Sequence, residues 1–267
     1  MKKFKLLLSL IAVIGVIYSC ATVPLTGRRQ LSLVGDAQIN QSAAASYSQL
    51  LSDPKTKVIA TGTDAQRVKR IGAQLSAAIE RYLQQNGYAG KYQFKWEFNL
   101  IESKEVNAWC MPGGKVAVYS GILPITQTDA GLATVMGHEI GHAIARHSAE
   151  RMSQQMAAQA GGAVVGTAAS NQSATTQALI GQLYGVGGQL ALLKYSRDQE
   201  SEADRLGLTF MAMAGYDPNE AVTFWKRMAA QSKGGAPPEF LSTHPADATR
   251  IAAIQREIPE AMKYYKQ

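Results

Sequence analysis

The chain contains few residues of the kinds that carry disulfide or metal chemistry. Two of its 267 residues are cysteines, Cys20 and Cys110, and four are histidines. This excludes a small scaffold held together by several disulfides. We expect Cys110 to be a buried thiol that packs as a small hydrophobic side chain. Three of the four histidines fall between Thr134 and His147, which concentrates any histidine chemistry in that stretch.

Basic charge is too sparse to indicate a nucleic-acid partner. The formal net charge is +7, and Lys2, Lys3 and Lys5 supply part of it from the extreme N-terminus. The chain has no run of basic residues interleaved with aromatic residues, a pattern typical of nucleic-acid-binding surfaces. We therefore expect no nucleic acid among the partners.

A long apolar run is missing as well. The run from Leu6 to Tyr18 is shorter than the ~20 residues that a membrane-spanning helix needs. Lysines precede this run and Ser19-Cys20 follows it, an arrangement typical of a secretory signal peptide. The four residues Ile17 to Cys20 resemble the lipobox of bacterial lipoproteins, in which the cysteine carries the lipid. The alternative is an ordinary secretory signal with an incidental cysteine.

These features predict how the chain is divided and where it resides. We predict a lipoprotein signal peptide over residues 1–19, a lipidated tether over 20–35 and a folded domain over 36–267. The lipid on Cys20 would anchor the protein in the cell envelope, at the outer membrane, with the domain facing the periplasm. The tether is polar and is expected to be irregular.

The segment 152–193 contains no Asp, Glu, Lys, Arg or His and is rich in Ala, Gly, Gln, Ser and Thr. One interpretation is a mobile lid, or a surface that meets the membrane or a client polypeptide. The other is a pair of helices, broken near Ser170-Asn171, that pack closely through their glycines. Frequent glutamines and hydroxyl residues argue against a hairpin that crosses a membrane.

The remaining periodicities predict a mostly helical α+β domain with a small antiparallel sheet. Three stretches read as strands, Tyr92–Ile101, Asn107–Met111 and Lys115–Tyr119, and Pro112-Gly113-Gly114 forms the turn between the last two. A helix capped at Thr128-Asp129 then follows, apolar on nearly all sides and hence buried. Helices account for the rest of the domain.

That buried helix carries the sequence His138-Glu139-Ile140-Gly141-His142, an H-E-x-x-H pattern. Two histidines four apart on a helix project from one face and can bind one metal ion. The glutamate between them lies close enough to act as a general base on water at the metal. Gly137 and Gly141, also four apart, would allow a second helix to approach closely.

A catalytic zinc site takes three protein ligands, so a third ligand must come from elsewhere. Glu200, Ala203, Asp204 and Gly207 would share one face of a later helix, which could lie against the His138 helix. Glu200 could then bind the metal, and Asp204 could accept the spare N–H of a ligand histidine. The alternative is a solvated, charged helix face.

The pattern H-E-x-x-H followed by Glu200-Ser201-Glu202-Ala203-Asp204 resembles the zinc metallopeptidase family of CAAX prenyl proteases and HtpX-like peptidases. Asn107 to Gly114, Ser242 to Pro245 and Arg250 match further motifs of that family. The resemblance implies a zincin-like (gluzincin) fold and one Zn²⁺ per chain held by His138, His142 and Glu200. It also implies Glu139 as general base and Asp204 as a support for the ligands. With Pro24 to Arg29 and the lipobox, the chain looks most like BepA- and LoiP-like outer-membrane lipoprotein members.

The expected activity is that of a metalloendopeptidase acting on misfolded or damaged envelope proteins, with outer-membrane assembly machinery as a possible partner. The strand with Val116, Ala117 and Val118 would be the sheet edge that holds an extended substrate, with Asn107 beside it. The alternative function is a periplasmic chaperone or assembly factor whose zinc site is structural or latent.

Two histidines outside the pattern are harder to assign. His244 could stabilise the oxyanion beside zinc, bind zinc as a fourth ligand and leave the enzyme latent, or merely shape a loop. His147 lies nine residues beyond His138, half a helical turn from the ligand face. It is expected to be a capping or surface residue.

Overall fold

The computed structural model of the protein describes residues 20–162, 195–231 and 238–265. The predicted signal peptide lies outside these ranges. So does most of the uncharged segment, including the predicted helix break at Ser170-Asn171. Among the described residues, no helix is both long enough and apolar enough to cross a membrane.

Helices make up most of the described chain, which confirms the predicted α+β class. In chain order they are α1 (Asp36–Ser52), α2 (Thr63–Gln85), α3 (Leu123–Thr126), α4 (Asp129–Ile144), α5 (His147–Gly162), α6 (Arg197–Met213), α7 (Glu220–Ala230), α8 (Glu239–Thr243) and α9 (Ala248–Ala261). Short 3₁₀ turns at Ser120–Ile122 and Met262–Tyr264 precede α3 and follow α9.

The strands form one hairpin and one small sheet. The hairpin pairs β1 (Cys20–Thr22) with β2 (Arg29–Leu31). The sheet contains β3 (Val58–Ile59), β4 (Glu97–Ile101), β5 (Ala108–Met111) and β6 (Lys115–Tyr119), in the order β3-β4-β6-β5. The β5–β6 hairpin is antiparallel as predicted, whereas β4 and β6 run parallel.

Two predictions of local structure differ from the structure. The stretch 20–35 is not irregular, because its first part forms the β1–β2 hairpin. Strand β4 begins at Glu97 instead of Tyr92. Every second residue from Tyr92 to Phe98 is aromatic, and these rings stack on one another. The centroids of Phe94 and Trp96, for example, lie 4.4 Å apart. The alternation therefore extends beyond the part of the segment that pairs with another strand.

The predicted substrate edge at Val116, Ala117 and Val118 is wrong. These residues belong to β6, which lies between β4 and β5 and therefore uses its main-chain groups on both sides. Within the described part of the chain, the outer strand next to β6 is β5. Asn107 directly precedes β5, and its side-chain oxygen accepts the N–H of Ala108 at 2.9 Å.

The sheet separates two parts of the core because side chains alternate between its faces. Ala108, Cys110, Val116 and Val118 pack with apolar residues of α2, α4 and α6. Trp109, Met111 and Ala117 pack instead with Ile39 and Tyr47 of α1 and with Met152 of α5. Helix α4 thus lies directly beneath β5 and is enclosed by α2, α6 and α7 on its other sides.

Helices α4 and α6 cross in contact at small residues, as the spacing of the glycines predicts. A Cβ atom on Gly137 would lie 3.0 Å from the carbonyl oxygen of Gly207, and one on Gly141 would lie 2.8 Å from that of Ala203. The obstructing atoms are backbone atoms that cannot move aside independently. This close approach lets side chains from both helices reach one point.

Candidate metal centre

The H-E-x-x-H pattern lies on α4, where both histidines point to the same side. Thr128 caps the helix by accepting the N–H of Gly131, as predicted. His138 and His142 are 1% and 2% exposed, and their Nε2 atoms lie 3.1 Å apart. Two ring nitrogens this close in a buried position require a cation or a shared proton between them.

Helix α6 brings Glu200 to the same point. The helix begins with a capping box in which Ser196 and Gln199 exchange side-chain and backbone hydrogen bonds. Glu200 follows in the first turn, with Oε1 3.4 Å from Nε2 of His142 and Oε2 3.5 Å from Nε2 of His138. The charged-surface alternative for this helix face is excluded because Glu200 and Asp204 are buried.

His244 completes the group from the end of α8. Its Nδ1 atom lies 2.9 Å from Oε1 of Glu200 and 3.2 Å from Nε2 of His138. His138, His142, Glu200 and His244 are all buried, and each offers one ligand atom within 4.8 Å of the others. The structure therefore places His244 among the predicted ligands instead of in a separate loop.

The donor set fits a zinc ion in its spacing. Ligand atoms ~2.0–2.1 Å from a tetrahedral zinc lie about 3.3 Å from one another. The ligand-atom distances given above run from 2.9 to 3.5 Å. Two imidazoles and a carboxylate are also the ligand types of catalytic zinc sites, and a third imidazole is present here.

Hydrogen bonds on the far sides of the rings fix which nitrogens are free to bind metal. Nδ1 of His138 lies 2.9 Å from Oδ1 of Asp204, a carboxylate that can only accept, so this nitrogen carries the proton. His142 is held by a series of two hydrogen bonds. Its Nδ1 atom lies 2.8 Å from Nδ1 of His147, and Nε2 of His147 lies 2.9 Å from Oε2 of Glu202. By the same reasoning, Nε2 of both ligand histidines is left unprotonated and faces the centre.

The expectation that His147 is a capping or surface residue is wrong. Its side chain is fully buried and supports His142 as described. The expectation assumed one continuous helix from His138 onward. Instead α4 ends at Ile144, Arg146 adopts a left-handed conformation with φ 55°, and α5 starts at His147. This turn returns His147 to the ligand side.

The pKa shifts agree with a metal site. Burial lowers the pKa of His138, and lowers that of His142 well below its usual value, so both rings are neutral and available as ligands. Burial alone would raise the pKa of Glu200. The positive charges of His244 and Arg250 instead hold it well below the usual range. Glu200 is therefore an ionised carboxylate.

Glu139 lies beside the candidate ligands, but one of its carboxylate oxygens makes no hydrogen bond within the described part of the chain. It is 3% exposed, and its Oε1 atom has no hydrogen-bond partner among the described residues. Nε2 of His244 lies 3.5 Å from that oxygen. Burial raises the pKa of Glu139 to about 7. An unpartnered carboxylate with this pKa is suited to accept a proton near neutral pH.

Strand β5 runs close to Glu139. Burial raises the pKa of the Cys110 thiol well above its usual value, and the charge of Glu139 adds to this effect. Cys110 is thus the buried thiol that the sequence predicts. The edge strand and the proposed base are neighbours, although they are distant in sequence.

Two residues of the site were not predicted from their chemistry. Arg250 on α9 donates from Nε and Nη2 to both oxygens of Asp204 at 2.8 Å, and its Nη1 lies 2.9 Å from Oε2 of Glu200. The ring of Tyr195 stacks on His142 with 3.9 Å between centroids. In the sequence Arg250 is marked only by its place in a family motif, and no sequence signal identifies Tyr195.

Comparison with known proteins agrees with this geometry. Residues 69–258 match Peptidase family M48. The mitochondrial metalloendopeptidase OMA1 of Schizosaccharomyces pombe is 34% identical over 240 residues, which cover 90% of this chain and 66% of that protein. The mitochondrial metalloendopeptidase OMA1 of Homo sapiens is 30% identical over 246 residues, covering 90% of this chain and 46% of that protein.

A bacterial protein is similar over a shorter stretch. The beta-barrel assembly-enhancing protease of Escherichia coli K12 is 32% identical over 172 residues, 62% of this chain and 35% of that protein. The chain thus spans between about a third and two thirds of the length of these relatives. A special kinship with outer-membrane lipoproteins stays a prediction, but the family is confirmed: the chain belongs to peptidase family M48 of zinc metallopeptidases.

Proposed function

We propose that this protein is a zinc metalloendopeptidase in which Glu139 is the general base. The observation that carries the proposal is the convergence of four buried candidate ligands beside a buried carboxylate oxygen that has no hydrogen-bond partner among the described residues. His138, His142 and Glu200 would hold the metal, supported by Asp204 and His147. A bound zinc ion lowers the pKa of a water molecule and polarises a peptide carbonyl.

The chain's own residues supply the proton transfers. Oε1 of Glu139 accepts the proton of the attacking water and passes it to the nitrogen of the leaving amine. The burial that raises the pKa of Glu139 to about 7 makes both transfers feasible near neutral pH. During these transfers His138 stays neutral and Glu200 stays ionised. Arg250 pairs with Glu200 and with Asp204, so its positive charge offsets those of the two carboxylates.

Strand β5 is the proposed support for an extended substrate. The carbonyl of Asn107 accepts the N–H of Tyr119 in β6, so by antiparallel alternation the main-chain groups of Cys110 point away from β6. A peptide could add there by main-chain pairing, which selects little for sequence. A surface cleft continues past the strand, lined by Pro112, Gly113 and His142.

The substrate class and location are further parts of the proposal. Main-chain recognition suits unfolded or damaged polypeptides, which expose extended segments. We propose that the protein acts on such proteins in the cell envelope, anchored through lipid on Cys20. The Escherichia coli relative is a beta-barrel assembly-enhancing protease, and on that basis we propose the outer-membrane assembly machinery as a partner.

One preparation of the wild-type protein tests the function. We expect about one zinc per chain and measurable cleavage of casein, both lost on treatment with a chelator and restored by added zinc. Fully zinc-loaded protein that cleaves no unfolded polypeptide would contradict the peptidase proposal. It would favour the alternative of a chaperone or assembly factor with a structural zinc.

His244 is proposed to be a fourth ligand in the resting state, because its Nδ1 atom lies among the other donor atoms. Catalytic zinc sites keep that position open for water, so His244 would slow cleavage by the resting site without abolishing it. We expect His244→Ala to raise casein cleavage severalfold at unchanged zinc content. Lost turnover with intact zinc would instead assign His244 to oxyanion stabilisation, and unchanged cleavage would assign neither role.

A further inference from the structure

The loop of the N-terminal hairpin, residues 23–28, reaches the carboxylate that supports a metal ligand. Oε1 of Glu202 accepts a hydrogen bond from the Thr26 hydroxyl. Oε2 of Glu202 accepts from Nε of Arg28 at 2.7 Å and from Nε2 of His147 at 2.9 Å. Thr26 and Arg28 thus contact Glu202, more than 170 positions away in the sequence. Glu202 in turn is hydrogen-bonded to His147, the ring that orients His142.

The same arginine also binds the helix that carries His147. Nη1 and Nη2 of Arg28 donate to the two oxygens of Glu150 on α5, at 2.8 and 2.9 Å. Glu150 accepts a further bond from Gln199 on α6 at 2.8 Å. Arg28 therefore joins α5 to α6 at the point where both helices contribute to the centre.

The two ion pairs of Arg28 neutralise carboxylates that are buried. The side chains of Glu150 and Glu202 are 8% and 6% exposed, and a single guanidinium that is 32% exposed pairs with both. Without it, two buried carboxylates would face each other with no other cation beside them among the described residues, since His147 is neutral. Glu202 would then keep only its bonds to Thr26 and His147 and could turn away, and His147 would lose the acceptor that sets its tautomer.

The loop is built to hold this position. Val23 is fully buried and closes the loop with two backbone hydrogen bonds. Its N–H donates to the carbonyl oxygen of Arg28 at 2.9 Å, and its carbonyl oxygen accepts the N–H of Gly27 at 3.0 Å. Leu25 and Gly27 both adopt left-handed conformations, with φ 69° and 68°. A conformation that is costly for leucine persists only when its surroundings enforce it.

We infer that the N-terminal hairpin is a part of the metal centre, in which Thr26 and Arg28 are positioning residues that fix His142 through Glu202 and His147. This inference rests on the proposed zinc site. It assigns a role in the metal centre to a stretch that the sequence predicted to be a lipidated tether. Arg28 holds Glu202, Glu202 orients His147, and His147 orients His142, which would bind the metal.

Metal affinity tests the inference independently of proteolysis. We expect Arg28→Ala to weaken zinc binding about tenfold or more, since loss of outer hydrogen-bond partners costs about 10- to 100-fold. The affinity would be measured by competition with a chelator, and the visible spectrum of the cobalt-substituted protein should change. Arg29→Ala is the matched control, because Arg29 is adjacent and exposed and should leave both readouts unchanged.

A double-mutant cycle separates positioning from general stability. In a His147→Phe background the connection to His142 is already cut, so Arg28→Ala should weaken zinc binding little further. Equal weakening in both backgrounds, or unchanged affinity in Arg28→Ala, would overturn the inference. If Arg28→Ala does not fold, Thr26→Val removes one bond to Glu202 and a long contact from the Arg28 N–H at 3.4 Å, while the two backbone bonds of Val23 still close the loop. It should weaken zinc binding severalfold, and unchanged affinity would count against the inference.

The outcomes distinguish this inference from the proposed function. A wild-type protein that binds zinc but cleaves nothing contradicts the peptidase proposal and leaves the affinity comparison intact. A wild-type protein that cleaves casein while its Arg28 variant binds zinc equally well contradicts only the role of the hairpin.

Discussion

Replacing Glu139 with glutamine should abolish most casein cleavage while the protein keeps its zinc. Glutamine has nearly the same shape as glutamate but cannot accept and return a proton, and loss of a general base costs about 10²–10⁴-fold in rate. The zinc ligands are on other side chains, so metal content should stay equal to that of the wild type. The measurement is turnover and zinc content on the same preparation.

The controls for this variant exclude a folding artefact. Glu102→Gln changes an exposed glutamate and should have no effect on turnover. Because burial raises the pKa of Glu139 to about 7, this carboxyl group costs stability that accrues as pH rises from its unfolded pKa and is complete above about pH 7. Glu139→Gln should therefore not lower the free energy of unfolding at pH 8. Full activity of Glu139→Gln would exclude Glu139 as the base.

Replacing Arg250 with methionine should lower the free energy of unfolding by about 3–5 kcal/mol, the cost of leaving buried partners of an ion pair unpaired. Arg250 holds Asp204 with two hydrogen bonds, contacts Glu200, and lies 3.7 Å above the ring of Trp225. Methionine preserves much of the apolar packing but leaves two buried carboxylates without this cation. Urea unfolding at equal zinc loading measures the change.

The pH dependence gives a second test of Arg250. Burial would raise the pKa of Asp204, but Arg250 and His138 hold it below its usual value. Such a carboxylate stabilises the fold above its unfolded pKa, and this contribution is lost as pH falls through the folded pKa. The destabilisation in Arg250→Met should therefore be equal at pH 5 and pH 8, which both lie above the unfolded value of 3.8, and should become smaller only as pH falls below that value. Arg256→Met, an exposed arginine on the same helix, should cost less than about 0.5 kcal/mol.

Features with a local physical cause could be predicted from the sequence. The four-residue spacing of His138 and His142 places both on one helix face whatever surrounds them. The small residues Gly137, Gly141, Ala203 and Gly207 predict a close crossing, and α4 and α6 make that crossing. A buried histidine pair needs an anionic partner, which made Glu200 and Asp204 the natural candidates.

Predictions failed where a local pattern allowed two arrangements. Both strands of the β5–β6 hairpin alternate in the same way, so the sequence does not indicate which one is the outer strand. The parallel pairing of β4 with β6 decides this and moves the edge to β5. Likewise, helical periodicity placed His147 on the wrong side because nothing in the pattern showed the left-handed turn at Arg146.

The sequence by itself therefore predicted the helix that carries the H-E-x-x-H pattern, three of the four residues that meet at the candidate metal site, and the family. Local spacing fixes the geometry of one helix, and the chemistry of a buried site limits which residues can complete it. Only the tertiary structure decided how His147, Arg250 and the Arg28 loop support those ligands. Their contacts join positions that are far apart in the chain, and their hydrogen bonds depend on how the helices pack, which no periodicity records.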